Sequence, residues 1–239
     1  MPKLISVYDA IRFPLIPKKY YLGRQARRAS NKVEKELKLL EFLVPKNTNA
    51  IDGGANKGIY SYYLAKLCKQ VHAFEPNPTM YAYLKAAVPA NVTAYQLALS
   101  DSCGEATFNV PTTSGQFHHT RGSLLEVQGE KGETGVIRID VKVETLDSMQ
   151  LDNIGFIKLD LEGNELAALK GAQQLIEKQR PVILAEATNT GSSSATDLVN
   201  YLTERDYTPL VFLNNRLMDF GDKTADNIKH NCIFLPRQR

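Results

Sequence analysis

Cysteine is scarce in this 239-residue chain: Cys68, Cys103 and Cys232 stand far apart, with no CxxC pair. An odd number of thiols at such spacing excludes a disulfide framework and a cysteine-ligated zinc site, and points to a reducing, cytoplasmic compartment. The N-terminal region has no uninterrupted apolar h-region followed by small residues, and no stretch is long and apolar enough for a membrane span. Internal repeats and low-complexity tracts are missing too. A P-loop is excluded because Lys57 is followed by Gly58 and Ile59 rather than by Ser or Thr.

What is present is an apolar fraction of 43%, ample for the core of one large α/β domain. Charge is unevenly spread. Residues 1–46 hold eleven Lys/Arg against four Asp/Glu, whereas the remainder holds eighteen against twenty-two. We therefore divide the chain into a basic arm, residues 1–30, able to cover a substrate entrance, and a catalytic-type domain, residues 31–239. Tyr8, Tyr20, Tyr21 and the arginines between Arg24 and Arg28 are its candidate recognition groups. A solvated basic face explains the same charge equally well.

The stretch that organises the domain is Ile51-Asp52-Gly53-Gly54-Ala55-Asn56-Lys57-Gly58, an acid and a glycine-dense turn between a strand and a helix. Glycine belongs where backbone must approach a ligand or adopt positive φ. The helix after it should run to Leu67, and an earlier one from Asn31 to Val44, ended by Pro45. Val71–Phe74 reads as a strand leading to Glu75, with Asn77 as a cap and Pro78 at the first helical position. Residues 92–99 and 107–110 read as strands. Residues 111–135 lack periodicity and predict a functional loop or lid. Alternation from Ile137 to Val143 predicts an edge or hairpin strand. Core strands follow at Phe156–Asp160 and Val182–Ala185, with closing strands at Pro209–Leu213 and Cys232–Leu235.

Several core strands end in an acid: Asp52, Glu75, Asp160 and Glu186. In an open parallel sheet, strand carboxyl ends line the ligand crevice, so these acids should surround one pocket. Glu75, 23 residues after Asp52, can accept from both hydroxyls of a ribose. A dinucleotide fingerprint wants glycine where Ala55 stands, which favours a ribose ligand without pyrophosphate. S-adenosylmethionine is such a ligand; a nicotinamide-dependent oxidoreductase is the alternative.

Asp52–Gly58, Phe74-Glu75-Pro76-Asn77-Pro78, Glu144-Thr145-Leu146-Asp147, the run Ile157–Glu165, Leu169-Lys170-Gly171-Ala172 and Arg180-Pro181-Val182 with Glu186 together resemble FkbM-type methyltransferases over about residues 34–236. The resemblance implies a class I methyltransferase (Rossmann-like) fold. That fold has a mostly parallel seven-stranded sheet, helices on both faces and a C-terminal antiparallel strand. It implies O-methylation of a sugar, glycan or other natural-product acceptor, with S-adenosylhomocysteine as product. By resemblance Asp52, Gly53, Gly54, Ala55, Asn56 and Gly58 hold the methionine part of the cofactor, Glu75 the ribose, and the turn from Ala98 to Asp101 the adenine side.

The hydroxyl nucleophile needs a base or an orienting group. Asp160 is the first candidate and Glu162 the second; either could instead cap amides near Gly163. His118 and His119 are further candidates if their loop closes over the pocket. Asp160, Glu186 and one histidine could alternatively hold a divalent cation, although the spacing does not demand a metal. Lys158 should share a face with Asp160 and find a structural partner in Glu144 or Asp147. An RNA methyltransferase fits less well, because Asp160-Leu161-Glu162-Gly163 offers no aromatic platform for a flipped base, so nucleic acid is not the expected partner. A non-catalytic cofactor-binding protein is disfavoured by the retained acids. A homodimer is compatible with every reading.

Overall fold

The computed structural model describes residues 18–32, 35–113, 116–117, 122–125, 135–187, 195–213, 216–220 and 230–237. The helices are α1 (Lys18–Lys32), α2 (Leu40–Leu43), α3 (Ile59–Leu64), α4 (Pro78–Ala87), α5 (Glu165–Lys170), α6 (Gln173–Gln179) and α7 (Ala195–Thr203). The strands of the main sheet are β1 (Asn49–Gly53), β2 (Val71–Phe74), β3 (Val92–Tyr95), β8 (Ile154–Leu159), β9 (Val182–Ala187), β10 (Tyr207–Leu213), β11 (Arg216–Asp219) and β12 (His230–Pro236). A second sheet holds β4 (Ala98–Leu99), β5 (Gly104–Thr113), β6 (Gln116–Phe117) and β7 (Gly135–Glu144).

The main sheet has the order β11-β10-β12-β9-β8-β1-β2-β3. Pairing is parallel from β3 through β9 and antiparallel at β9–β12, β12–β10 and β10–β11. The expected mostly parallel seven-stranded sheet is therefore corrected to a mixed eight-stranded sheet accompanied by a separate four-stranded one. The difference comes from Leu213 pairing back onto Arg216, which adds β11 as a hairpin. It also comes from Ala98 leaving the line of β3 to pair with Val143.

Apolar residues alternate across the sheet. Ile51, Ile157 and Ile183 pack into one cluster, with Leu169 and Leu198. Ala50, Phe156 and Leu184 face the other side, with Leu64 and Leu43. Burial on both faces explains why these strands read as continuous apolar runs. From β1 the chain winds outward through β2 and β3, then returns to β8 on the other side of β1. That reversal opens a crevice at the carboxyl ends of β1, β2 and β8.

Three local expectations change. The helix predicted from Asn31 to Val44 is instead the end of α1, a 3-10 turn at Lys35–Lys38 and short α2. The regular helix after the glycine turn stops at Leu64. The loop predicted over residues 111–135 is partly sheet. β5 runs on to Thr113, β6 pairs with it, and Ser123 bridges Asn109 in both directions. Asn77 and Pro78 cap and open α4 as predicted, the Asn77 side chain accepting from the amides of Thr79 and Met80.

Candidate active site

The crevice is lined by Gly54, Asn56 and Glu75 from β1 and β2, Ala98 from β4, and Asp160 and Glu162 from the exit of β8. Phe108 of the second sheet and Leu124, in the segment bridged to it, close the crevice. Glycine at position 54 is a steric necessity. Its φ is +70°, and a Cβ there would lie 1.9 Å from the carbonyl oxygen of Asp160. Gly58 also has positive φ, +86°, and a Cβ on it would press on Leu84.

Glu75 is almost fully buried yet reaches the crevice. One carboxylate oxygen accepts from the Asn56 amide and the other from the Asn77 amide, each at 2.8 Å. Burial pushes its pKa up to about 7, against the pull of those amides and of Lys158. Each oxygen retains a further lone pair, so the residue can still receive a ligand hydroxyl.

Asp52 is fully buried beneath the turn and does not line the crevice. It accepts from the Ser61 hydroxyl at 2.5 Å and faces the Lys158 ammonium at 3.8 Å. Burial holds its pKa above the ordinary carboxylate value, while Lys158 and Ser61 pull it down. Gly53 and Ala55 are also behind the surface; the Ala55 amide donates to the Phe74 carbonyl at 2.9 Å. Asp101 is exposed in the turn after β4, away from the lining. His118 and His119 lie outside the described residues.

On the other wall, the Asp160 side chain is 44% exposed and meets the Lys158 ammonium at 3.3 Å. The expected pairing of Lys158 with Glu144 or Asp147 is corrected. Glu144 accepts from the Ser148 hydroxyl, and Asp147 accepts the amides of Gln174 and Leu175. Lys158 does share a face with Asp160, and its partners are Asp160 at the exit of β8 and Asp52 on neighbouring β1. The capping role offered to Asp160 or Glu162 belongs to Glu165, whose carboxylate accepts from the Leu161 and Gly163 amides. Glu186, at the end of β9, is near enough to Asp160 to feel its charge but is not among the residues that line the crevice. Its pKa is raised by burial first and then by Asp160, Glu162 and Glu165. Among the described residues no group of three His, Cys, Asp or Glu side chains converges as a metal site. No described helix is long and apolar enough to cross a membrane.

A glycine turn and a buried carboxylate at the carboxyl ends of adjacent parallel strands mark an α/β protein with a small-molecule crevice at its switch point. The chain belongs to the FkbM-type, S-adenosylmethionine-dependent methyltransferase family: residues 52–209 match the methyltransferase FkbM domain. It is similar to methyltransferase sdnD of Sordaria araneosa, 30% identical over an alignment of 162 residues that covers 55% of this chain and 62% of that one. It is also similar in fold to the crystal structure of methyltransferase FkbM from Methylobacillus flagellatus KT. The TM-score is 0.50 at 17% identity, covering 94% of this chain and 60% of that one. The matches thus span less than two thirds of either relative's length. Family membership assigns S-adenosylmethionine as the cofactor, which sets aside the nicotinamide alternative. The tight turn at Gly54 and the inward Glu75 carboxylate fit that cofactor's backbone-hugging and ribose-binding needs.

Proposed function

We propose that the protein is an O-methyltransferase that moves a methyl group from S-adenosylmethionine to a hydroxyl of a sugar, glycan or other natural-product acceptor, on a class I fold. The reading is carried by two unlike walls facing each other across one crevice: Gly54, Asn56 and Glu75 against Asp160 and Glu162. S-adenosylmethionine, when bound, supplies an electrophilic methyl on a sulfonium and leaves as neutral S-adenosylhomocysteine. As the bond from acceptor oxygen to methyl carbon forms, the sulfur–carbon bond breaks and the hydroxyl proton passes to a carboxylate.

In this reading Asp160 takes that proton or orients the acceptor, with Glu162 as the second candidate and His118 and His119 as further ones. Asp160 suits the role because half of its surface is open while Lys158 holds it from behind. Gly54 and Asn56 receive the methionine portion, Glu75 accepts from the ribose hydroxyls, and Ala98 packs beside the adenine with Asp101 at the outer end. Asp52, Gly53, Ala55 and Gly58 serve from beneath by shaping the turn. Holding acceptor and methyl near contact distance can contribute roughly 7–11 kcal/mol to the rate in favourable cases. Without β11 the main sheet has the seven strands a class I fold calls for. The same reading treats residues 1–30 as an arm near the entrance and residues 31–239 as the catalytic domain. It places the protein in the cytoplasm, is compatible with a homodimer, and does not favour a divalent cation.

The test is transfer of labelled methyl from S-adenosylmethionine across a panel of sugars, glycans and hydroxylated natural products. Label recovered as a base-stable ether supports the reading. Label recovered only on nitrogen, carboxylate or RNA rejects it.

A further inference from the structure

Lys158 is a buried charge to which the proposed chemistry gives no step of its own. Lysine is almost never fully buried unless paired, yet this one is 4% exposed in the middle of the sheet. Its ammonium donates to the Gly54 carbonyl at 3.3 Å, to the Gly53 carbonyl at 3.5 Å and to Asp160 at 3.3 Å. It also faces Asp52 at 3.8 Å and stands over the Tyr60 ring at 5.1 Å. The side chain thus touches both walls. Its first two acceptors are the carbonyls of the glycine turn, and its third is the carboxylate on the acceptor side. Two more links join the same parts: the Asp160 amide donates to the Gly53 carbonyl at 3.2 Å, and Gly54 abuts the Asp160 carbonyl.

Neutralising Asp52 would require only one cation near one carboxylate. It does not account for an ammonium whose shorter contacts, 3.3 Å each, go to Gly54 and Asp160 rather than to Asp52. We propose that Lys158 is a positioning residue for methyl transfer, fastening the cofactor turn to the Asp160 carboxylate so that one side chain sets both the seating of the cofactor and the alignment of the acceptor. This rests on the reading of Asp160 given under the proposed function. Lysine suits the task because its three donors radiate from one compact centre, whereas a planar guanidinium would need a larger space.

The test compares Lys158→Met with Asp52→Asn and with the Asp52→Asn/Lys158→Met double variant. Each is assayed for S-adenosylhomocysteine affinity by calorimetry and for turnover at saturating cofactor. Lys158→Met alone strands a buried carboxylate and can fail to fold; the double variant removes both charges and keeps the question answerable. Positioning predicts that the double variant, relative to Asp52→Asn, loses about tenfold or more in affinity and about a hundredfold in turnover while remaining folded, the range seen when groups supporting a site's direct contacts are removed. Affinity and turnover equal to those of Asp52→Asn would overturn the proposal, leaving Lys158 as a counter-charge only. A second cycle separates this from the role of Asp160. In an Asp160→Asn background, removing Lys158 should cost affinity again but little further turnover. Full turnover in Asp160→Asn alone would remove Asp160 as the base without touching the affinity comparison.

Discussion

The wall formed by Gly54, Asn56 and Glu75 comes from one continuous stretch of chain and is held from behind at every point. The turn sits against Asp160, the Ala55 amide is bound by Phe74, and both oxygens of Glu75 are engaged by amides. The facing wall is gathered from the exit of β8 and from the second sheet with the segment bridged to it, and its leading carboxylate is 44% exposed. Rigid backbone on one side suits a cofactor used without variation, since preorganised donors and acceptors need no rearrangement on binding. Open carboxylates on the other side suit acceptors that differ in shape. Lys158 joins the two, which is why it reads as neither purely structural nor purely catalytic.

If the contrast is real, damage should differ in kind between the walls. The largest effect is expected from Gly54→Ala. A Cβ 1.9 Å from a carbonyl oxygen, at φ of +70°, forces the turn apart. We expect a loss of about 3 kcal/mol in stability and no measurable cofactor binding, read by thermal melting and calorimetry. Asp160→Asn should come next: turnover should fall by about 10²–10⁴-fold, the range of general-base contributions, while S-adenosylhomocysteine affinity changes far less. A large affinity loss there with turnover intact would invert the assignment of the walls.

Glu75→Gln should act on the opposite parameter. Loss of a charged hydrogen-bond acceptor is worth about 1.5–3 kcal/mol, so affinity should fall by roughly 10–100-fold with a smaller change in turnover at saturation. The smallest effect is a pH dependence. Burial raises the Glu75 pKa from an ordinary carboxylate value to about 7. Between those values the folded protein keeps a proton that the unfolded chain has lost. Stability is therefore full at low pH, declines as pH rises through that window, and levels off above 7. Cofactor affinity should move the other way and tighten as the carboxylate ionises. The stability change should be on the order of 1–3 kcal/mol between pH 5 and 8, visible in melts of the ligand-free protein and diminished in Glu75→Gln. Glu186 contributes in the same direction.

The same contrast explains what could be read from the chain. The cofactor wall is local: an acid, three glycines in six residues and a strand ending in Glu75-Pro76-Asn77 carry their own geometry through positive φ, capping and alternation. Asp160 was legible because strand ends converge at a sheet's carboxyl edge. Lys158 reads as a buried cation in need of a partner, and Asp160, two residues on, follows from strand alternation; Asp52 and the Gly53 and Gly54 carbonyls, on the neighbouring strand and its turn, are contacts that no short-range pattern encodes. The hydroxyl of Ser123 reaching the Glu162 carbonyl at 2.9 Å, across 39 residues, is of the same kind. So is the pairing of Ala98 with Val143 that founds the second sheet. Helix α1 is hard to read from the sequence because Pro14 and Pro17 precede it and its basic residues mask an apolar stripe of Leu22, Ala26 and Ala29.

The central claim is that a cofactor-binding wall and a chemical wall share one crevice. A crystal structure with S-adenosylhomocysteine tests it most directly. The account predicts ribose hydroxyls on Glu75, the amino-acid portion along Gly54 and Asn56, and the sulfur facing Asp160 across roughly 5–8 Å, a gap that admits one methyl and one hydroxyl. A ribose bound away from Glu75, or a sulfur turned away from Asp160, would contradict it.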